Sequence, residues 1–360
     1  MELNAGGLSS LVIGREEEIE TLKTYIKFSQ HTVISAPRRY GKTTLANRVL
    51  DELKNDYLIV KVDMFEATNI EELCEIYLNA IYNSVGIKNF LHKAKESIFS
   101  LLDKFHLTYE VEGIKIGYEI SKEQDTNRLI EKTFNFANQF ASLSDQKMIV
   151  FIDEFGEVEK FGQDFIKKIR SYMQKHKNVI YLFAGSQTSV INSIFLNKEN
   201  AFFNFATLMN ISMLKEKATL QFLQDIDIDG KSFTKEAIET IHRTTKFHPF
   251  YMIKTVQEAY IKALLQKSPH IETLHVDDAI NKILDDNNAY FESIWQKINH
   301  KKYKGSIFKS FYANRKSLNS TEISSSYKSQ LVTELKQEGF LTNKLKLTDP
   351  FLSLWIANEG

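Results

Sequence analysis

The sequence predicts a five-stranded parallel α/β sheet followed by a helical module and a C-terminal winged helix. Three observations predict it. Short apolar runs without polar alternation recur through the first 215 of the 360 residues, with helical stretches between them. From 216 to 286 the pattern is wholly helical, and from 287 onward three helical stretches precede two short strands.

The apolar runs are residues 31–35 (HTVIS), 57–62 (YLIVKV), 148–152 (MIVFI), 179–184 (VIYLFA) and about 208–214. Continuous β-branched runs of this length are what strands covered on both faces look like. Helical stretches at 16–27, 44–54, 70–85 and 164–174 alternate with them, which argues for a parallel sheet. With only 4 prolines and 14 glycines, the rest of the chain is expected to be mostly helical. An insertion at about 86–141 interrupts the alternation. It reads as a helix at 88–105, a hairpin at 107–121 turning at Glu112–Gly113, and a helix at about 125–141. The expected domains are a core at 1–215, a helical lid at 216–286 and a winged helix at 287–360.

Composition narrows the class. Lys+Arg and Asp+Glu balance at 46 each, so no global field points to a polyanionic partner. The lone cysteine, Cys74, rules out an intrachain disulfide and fits a reducing, cytoplasmic setting. The first ten residues lack the basic start and apolar run of a signal peptide. No stretch approaches the roughly 18 consecutive apolar residues of a membrane span.

Residues 32–45 (TVISAPRRYGKTTL) read as a strand, a loop and a helix start. They match G-x-x-x-x-G-K-[ST] with Ala36 at the first glycine position. Such a loop curls its N–H groups toward phosphates, and the helix N-terminus adds its dipole. Ala36, Pro37, Arg38, Arg39, Tyr40, Gly41, Lys42, Thr43 and Thr44 are therefore the expected nucleotide contacts. Gly41 allows close approach, Lys42 reaches the β- and γ-phosphates, and the Thr43 hydroxyl ligates Mg²⁺. Alanine at the first position is tolerable if its φ stays negative. The alternative is a chance Gly-Lys-Thr in an ordinary loop.

The run MIVFIDEF puts Asp153 and Glu154 at the carboxyl end of a buried strand, about 110 residues after the loop. Ligands bind at that edge of open α/β sheets. Asp153 suits a Mg²⁺ contact and Glu154 suits activating the attacking water, the pairing of additional-glutamate P-loop ATPases. The next strand ends in Gly185-Ser186-Gln187 and is expected to lie between the loop strand and the acidic strand. Ser186 is thus a candidate γ-phosphate sensor, with a helix N-cap as the rival role.

Together these elements resemble the prokaryotic archaeal-type ATPase family, in the STAND branch near AAA+ proteins. Residues 13–19 (IGREEEI) look like the family's G-R-x-x-E opening, and 36–43 like its P-R-R-x-G-K-T loop. Residues 247–251 (FHPFY) resemble its lid G-x-P segment, and 347–352 (LTDPFL) the D-P-F ending of its winged helix. The resemblance implies that Gly14, Arg15 and Pro249 lie by the nucleotide, Pro249 against the base. Two departures stand out. Residues 201–213 contain no arginine where the family pattern has one, with Phe205 near that place, and Phe247 replaces the lid glycine. Arg15 reads chiefly as an anchor for the chain entry, and His248 as a packed lid residue.

In the tail, residues 328–337 form an amphipathic helix with Leu331 and Leu335 four apart, after a possible serine cap at Ser320. Residues 340–342 and 345–348 are the expected wing. From Tyr290 to Gly360 eleven Lys/Arg face six Asp/Glu, densest at Lys297, Lys301, Lys302, Lys304 and Lys309. The leading expectation is an ATP/ADP- and Mg²⁺-dependent ATPase acting as a conformational switch, with self-association or a protein partner and no membrane. One alternative is a DNA-binding ATPase on the plan of origin-recognition initiators. Another is a non-hydrolysing scaffold that holds ADP.

Overall fold

The computed structural model describes residues 12–84, 107–109, 116–118, 126–312, 323–342 and 344–359. The expected helix at 88–105, the hairpin turn at Glu112–Gly113, the cap at Ser320 and the first ten residues lie outside them. Backbone contacts divide the chain into two units. One comprises Glu16–Ala36 and Leu45–Ile211; the other comprises Pro37–Thr44 and Ser212–Gly360, together with the residues up to Arg15.

The first unit is the α/β body. Its strands are β1 (Thr32–Ser35), β2 (Leu58–Asp63), β5 (Met148–Asp153), β6 (Val179–Gly185) and β7 (Thr207–Asn210), in the order β2-β5-β6-β1-β7. Every neighbouring pair is parallel, so all five carboxyl ends share one edge. β6 lies between β1 and β5, as the sequence predicts. Every residue of β1 and β6 is buried, which is why those runs carry no polar alternation.

Helix α1 (Glu16–Lys27) opens with three glutamates and ends on Lys27, matching its dipole, and buries Leu22 and Ile26 four apart. Helix α2 is Lys42–Leu53. Helix α3 (Ile70–Tyr82) starts where Asn69 accepts the Glu72 amide. Strands β3 (Leu107–Tyr109) and β4 (Ile116–Tyr118) pair antiparallel, as expected of the hairpin. Helix α4 (Thr126–Leu143) packs on α3 and on α5 (Gln163–Met173), and α6 (Thr188–Leu196) follows β6. Their apolar faces close one aromatic-rich core that includes Phe134, Phe155, Phe183 and Phe202.

The second unit contains α7 (Glu216–Asp225), α8 (Lys235–Thr245), α9 (Pro249–Leu265) and α10 (Thr273–Asp286). It continues with α11 (Asn288–Asn299), α12 (Lys304–Tyr312), α13 (Ser325–Gln337) and α14 (Pro350–Glu359). One hydrophobic cluster joins both sets, running from Leu223 and Ile241 to Leu331, Phe351 and Trp355.

Helix α13 is capped by Ser324, whose hydroxyl accepts the Tyr327 amide. The rest of the tail departs from the sequence expectation in two details. The wing shrinks to a single antiparallel bridge, Leu341 to Leu347. The chain then forms α14, because Asp349 accepts the amides of Phe351 and Leu352 and Pro350 takes the first turn. Among the described residues no helix is long and apolar enough to cross a membrane.

Candidate functional site

At the carboxyl edge of the sheet, Asp153 ends β5 and Glu154 turns the chain into a 3₁₀ turn, Phe155–Phe161, with φ +47°. A non-glycine residue in the left-handed region is strained and needs local support. Two contacts supply it. Asp153 Oδ1 accepts the Glu154 amide at 2.9 Å. Glu154 Oε2 accepts both the Ser186 amide at 3.1 Å and the Ser186 hydroxyl at 2.7 Å. The N-cap of α6 is Gln187, so the Ser186 hydroxyl serves the glutamate and not the helix end. Gly185 before it has no room for a side chain, since a Cβ would stand 2.3 Å from Ile191 Cδ1.

Sequence reasoning missed one carboxylate here. Asp63 ends β2 in register with Asp153, and its Oδ1 accepts the Phe65 amide. Its signal was the aspartate directly after YLIVKV.

The loop after β1 belongs to the second unit. Arg39 (φ +66°) and Gly41 (φ +85°) are left-handed on either side of Tyr40, whose φ is not positive. Such alternation turns successive N–H groups to one side and makes an anion-binding concavity. The N–H groups of Arg39 and Gly41 meet no acceptor among the described residues. Nothing lies within 4 Å of where a Gly41 Cβ would stand, so the glycine answers the backbone angle and leaves that approach open. Ala36 keeps φ out of the positive range, which satisfies the condition for replacing glycine there. Lys42 and Thr43 form the first turn of α2; the ammonium of Lys42, 5% exposed, donates to the Pro37 carbonyl at 3.2 Å. Mg²⁺ takes protein oxygens alongside phosphates and waters, and the Thr43 hydroxyl of the second unit and the Asp153 carboxylate of the first are each an oxygen donor of that kind.

Arg15 is buried and donates to the carbonyls of Tyr40 and Ser212, tying the chain entry to the loop. Gly14 before it is left-handed, with Ala218 packed where its Cβ would be. In the lid, Lys246 and Phe247 are both left-handed, which explains why glycine suits the second position. Phe247 is held by its carbonyl, which accepts the Leu214 amide, and by its ring against His242 at 4.4 Å. His248 caps α9 and Pro249 occupies its first turn. His248 is 2% exposed, and burial, then the nearby Arg39 charge, push its pKa down to about 3, so it stays neutral.

Arg39 reaches the lid and tail, its guanidinium 4.3 Å from the Phe250 ring centroid and 5.3 Å from that of Tyr290. Phe205, in the stretch without arginine, packs on His31 and lies under Arg170 at 4.2 Å. The basic cluster of the tail is partly paired with acidic residues of the same chain. Lys301 pairs with Glu334 of α13 at 2.8 Å, and the fully buried Lys304 with Glu338, the C-cap of α13, at 2.7 Å. Lys309 sits over the Trp295 ring.

No protein-family model matches the chain, and no curated protein matches it. Solved structures do. A Walker-type ATPase of Pyrococcus abyssi superposes with a TM-score of 0.66 at 14% identity, covering 96% of each chain. The ORC2 protein of Aeropyrum pernix, solved as ADPNP-ADP complexes, gives 0.62 at 12%, covering 99% of this chain and 96% of its own. The ORC1 protein of the same organism, in complex with DNA, gives 0.52 at 10%, covering 99% and 95%. At these identities the likeness is one of fold, consistent with the archaeal-type, AAA+-like resemblance of the motifs: the chain has the fold of these proteins over nearly its whole length.

Proposed function

We propose that the chain binds ATP with Mg²⁺ and hydrolyses it slowly, as a nucleotide-dependent conformational switch. The observation that carries this reading is the loop geometry: left-handed Arg39 and Gly41 lead into a helix that starts on Lys42-Thr43. The similarity to a structure named a Walker-type ATPase and to one solved with ADPNP and ADP supports it.

In this reading the loop from Ala36 to Thr44 cradles the phosphates and Lys42 neutralises their charge. Thr43 and Asp153 would hold Mg²⁺, which would supply positive charge to the phosphate oxygens. Glu154 takes the proton of the attacking water, and Ser186 fixes its carboxylate. Gly14 and Arg15 shape the entry and Pro249 flanks the base. Nucleotide state would bias the arrangement of lid and tail, whose shared core makes them move together. The buried single cysteine fits a cytoplasmic setting, and self-association or a protein partner remains part of the proposal. The test is Mg²⁺-dependent phosphate release from ATP by the wild type; nucleotide binding with no turnover would favour an ADP-holding scaffold.

A second reading, DNA binding through the tail, draws on structural neighbours solved with DNA. The internal pairing of Lys301 and Lys304 works against it, because each phosphate contact needs its own cation. Duplex DNA binding with a steep salt slope would favour this reading, and salt-independent or absent binding would dismiss it.

A further inference from the structure

The phosphate-binding loop is fastened to the C-terminal segment by its own side chains. Tyr40 is 4% exposed; its hydroxyl donates to the Thr348 carbonyl at 3.0 Å, and its ring meets His248 edge-on at 5.0 Å. The next tail residue, Asp349, accepts the Phe351 and Leu352 amides on Oδ1 and the Tyr251 hydroxyl on Oδ2, each at 2.9 Å. Tyr251 also stacks on Phe351 at 4.2 Å, with the rings 11° apart. Arg39, one residue before Tyr40, completes the cluster over Phe250 and Tyr290.

Packing alone does not require two consecutive residues of this loop as anchors. Arg39 is held in a strained left-handed conformation that an unsupported L-residue leaves readily. The anchors use side chains, while the amides of Arg39 and Gly41 meet no acceptor among the described residues. The tail thus fixes the loop's shape without occupying those two donors.

We propose that Tyr40 is a positioning residue: by bonding Thr348 it holds the loop in its anion-binding shape, so the C-terminal segment sets the affinity for a nucleoside polyphosphate. This rests on the nucleotide reading above. Coupling between sites is reciprocal, so nucleotide in the loop must in turn tighten residues 348–352. Losing one neutral hydrogen bond corresponds to about 3–10-fold in affinity.

The test uses the full chain as wild type, Tyr40→Phe and Tyr251→Phe, with thermal midpoints checking the fold. ADP affinity and amide exchange across 348–352 are measured with and without ADP. The expected result is that ADP slows exchange there in the wild type. Tyr40→Phe, which keeps its ring on His248, then weakens ADP binding about 3–10-fold and loses most of that slowing. Tyr251→Phe, which loses the bond to Asp349 of the tail, also weakens ADP binding. Wild-type ADP binding with unchanged exchange at 348–352 overturns the inference and leaves the nucleotide reading intact, and so does wild-type affinity in a folded Tyr40→Phe. If Tyr40→Phe fails to fold, the wild-type exchange result and Tyr251→Phe decide. Absence of ADP binding by the wild type removes both claims.

Discussion

Ser186 holds the carboxylate of Glu154 with two donors on one oxygen, its amide at 3.1 Å and its hydroxyl at 2.7 Å. In the proposed reaction this aims the base. A hydrogen bond to a charged group contributes about 1.5–3 kcal/mol, so Ser186→Ala should lower kcat about 10–100-fold with KM little changed. Steady-state ATP turnover checks this, and an unchanged kcat would reduce Ser186 to a structural support.

Gly14→Ala should destabilise the second unit by about 1–3 kcal/mol. A Cβ there would stand 2.7 Å from Ala218 Cβ, at a φ of +62° that L-residues rarely adopt. Urea unfolding should show the loss, with Gly230→Ala as a left-handed control that has open space around it.

Lys304→Ala should cost about 3 kcal/mol, because it leaves Glu338 and Glu334 without the buried ammonium between them. Replacing Lys304 by Met together with Glu338→Leu should recover most of that loss. If Lys304→Ala is neutral in denaturant unfolding, the pair does not hold α12 to α13.

Acid should weaken the α/β unit between about pH 6.5 and 4. Burial, with Arg170 adding to it, lowers His31 to about 4, and burial, with His31 and Lys175 adding to it, lowers His176 to about 4. His31 Nδ1 accepts the Tyr181 amide, and His176 Nδ1 is 2.7 Å from the Tyr181 hydroxyl. The unfolded chain takes up these protons first, near pH 6.5, so the stabilisation is complete above that pH and is lost as pH falls. The slope is up to about 1.4 kcal/mol per pH unit per histidine. Asp349, raised mainly by burial, works in the opposite sense in the other unit. Unfolding free energies from pH 7 to 4.5 check this; a flat profile for the α/β unit would contradict it.

The fold was legible because β1, β5 and β6 are buried almost throughout and read as unbroken apolar runs, while the outer strands β2 and β7 are less covered; the position of β6 followed from the α/β architecture and not from burial. The loop and the Asp153-Glu154 pair were legible because phosphate and carboxylate chemistry demand particular residues at fixed spacing. Asp63 was not, since only strand register brings it beside Asp153. The bond from Tyr40 to Thr348 spans 308 positions and carries no periodic signal. Helix α14 was masked by reading Asp349-Pro350-Phe351 as a family motif, although aspartate followed by proline is also a helix start. The pairing of Lys301 and of the buried Lys304 with glutamates was hidden because a count of charge does not say which charges are already paired.

The central claim is that Lys42 and Glu154 serve one ATP cycle, and nucleotide binding by their variants tests it most directly. Affinity for ATP and ADP should be measured for the wild type, Lys42→Ala and Glu154→Gln, alongside phosphate release. The account predicts that Lys42→Ala loses at least tenfold in affinity, and that Glu154→Gln keeps ATP bound without releasing phosphate. Lys42→Ala binding ATP as tightly as the wild type would contradict it.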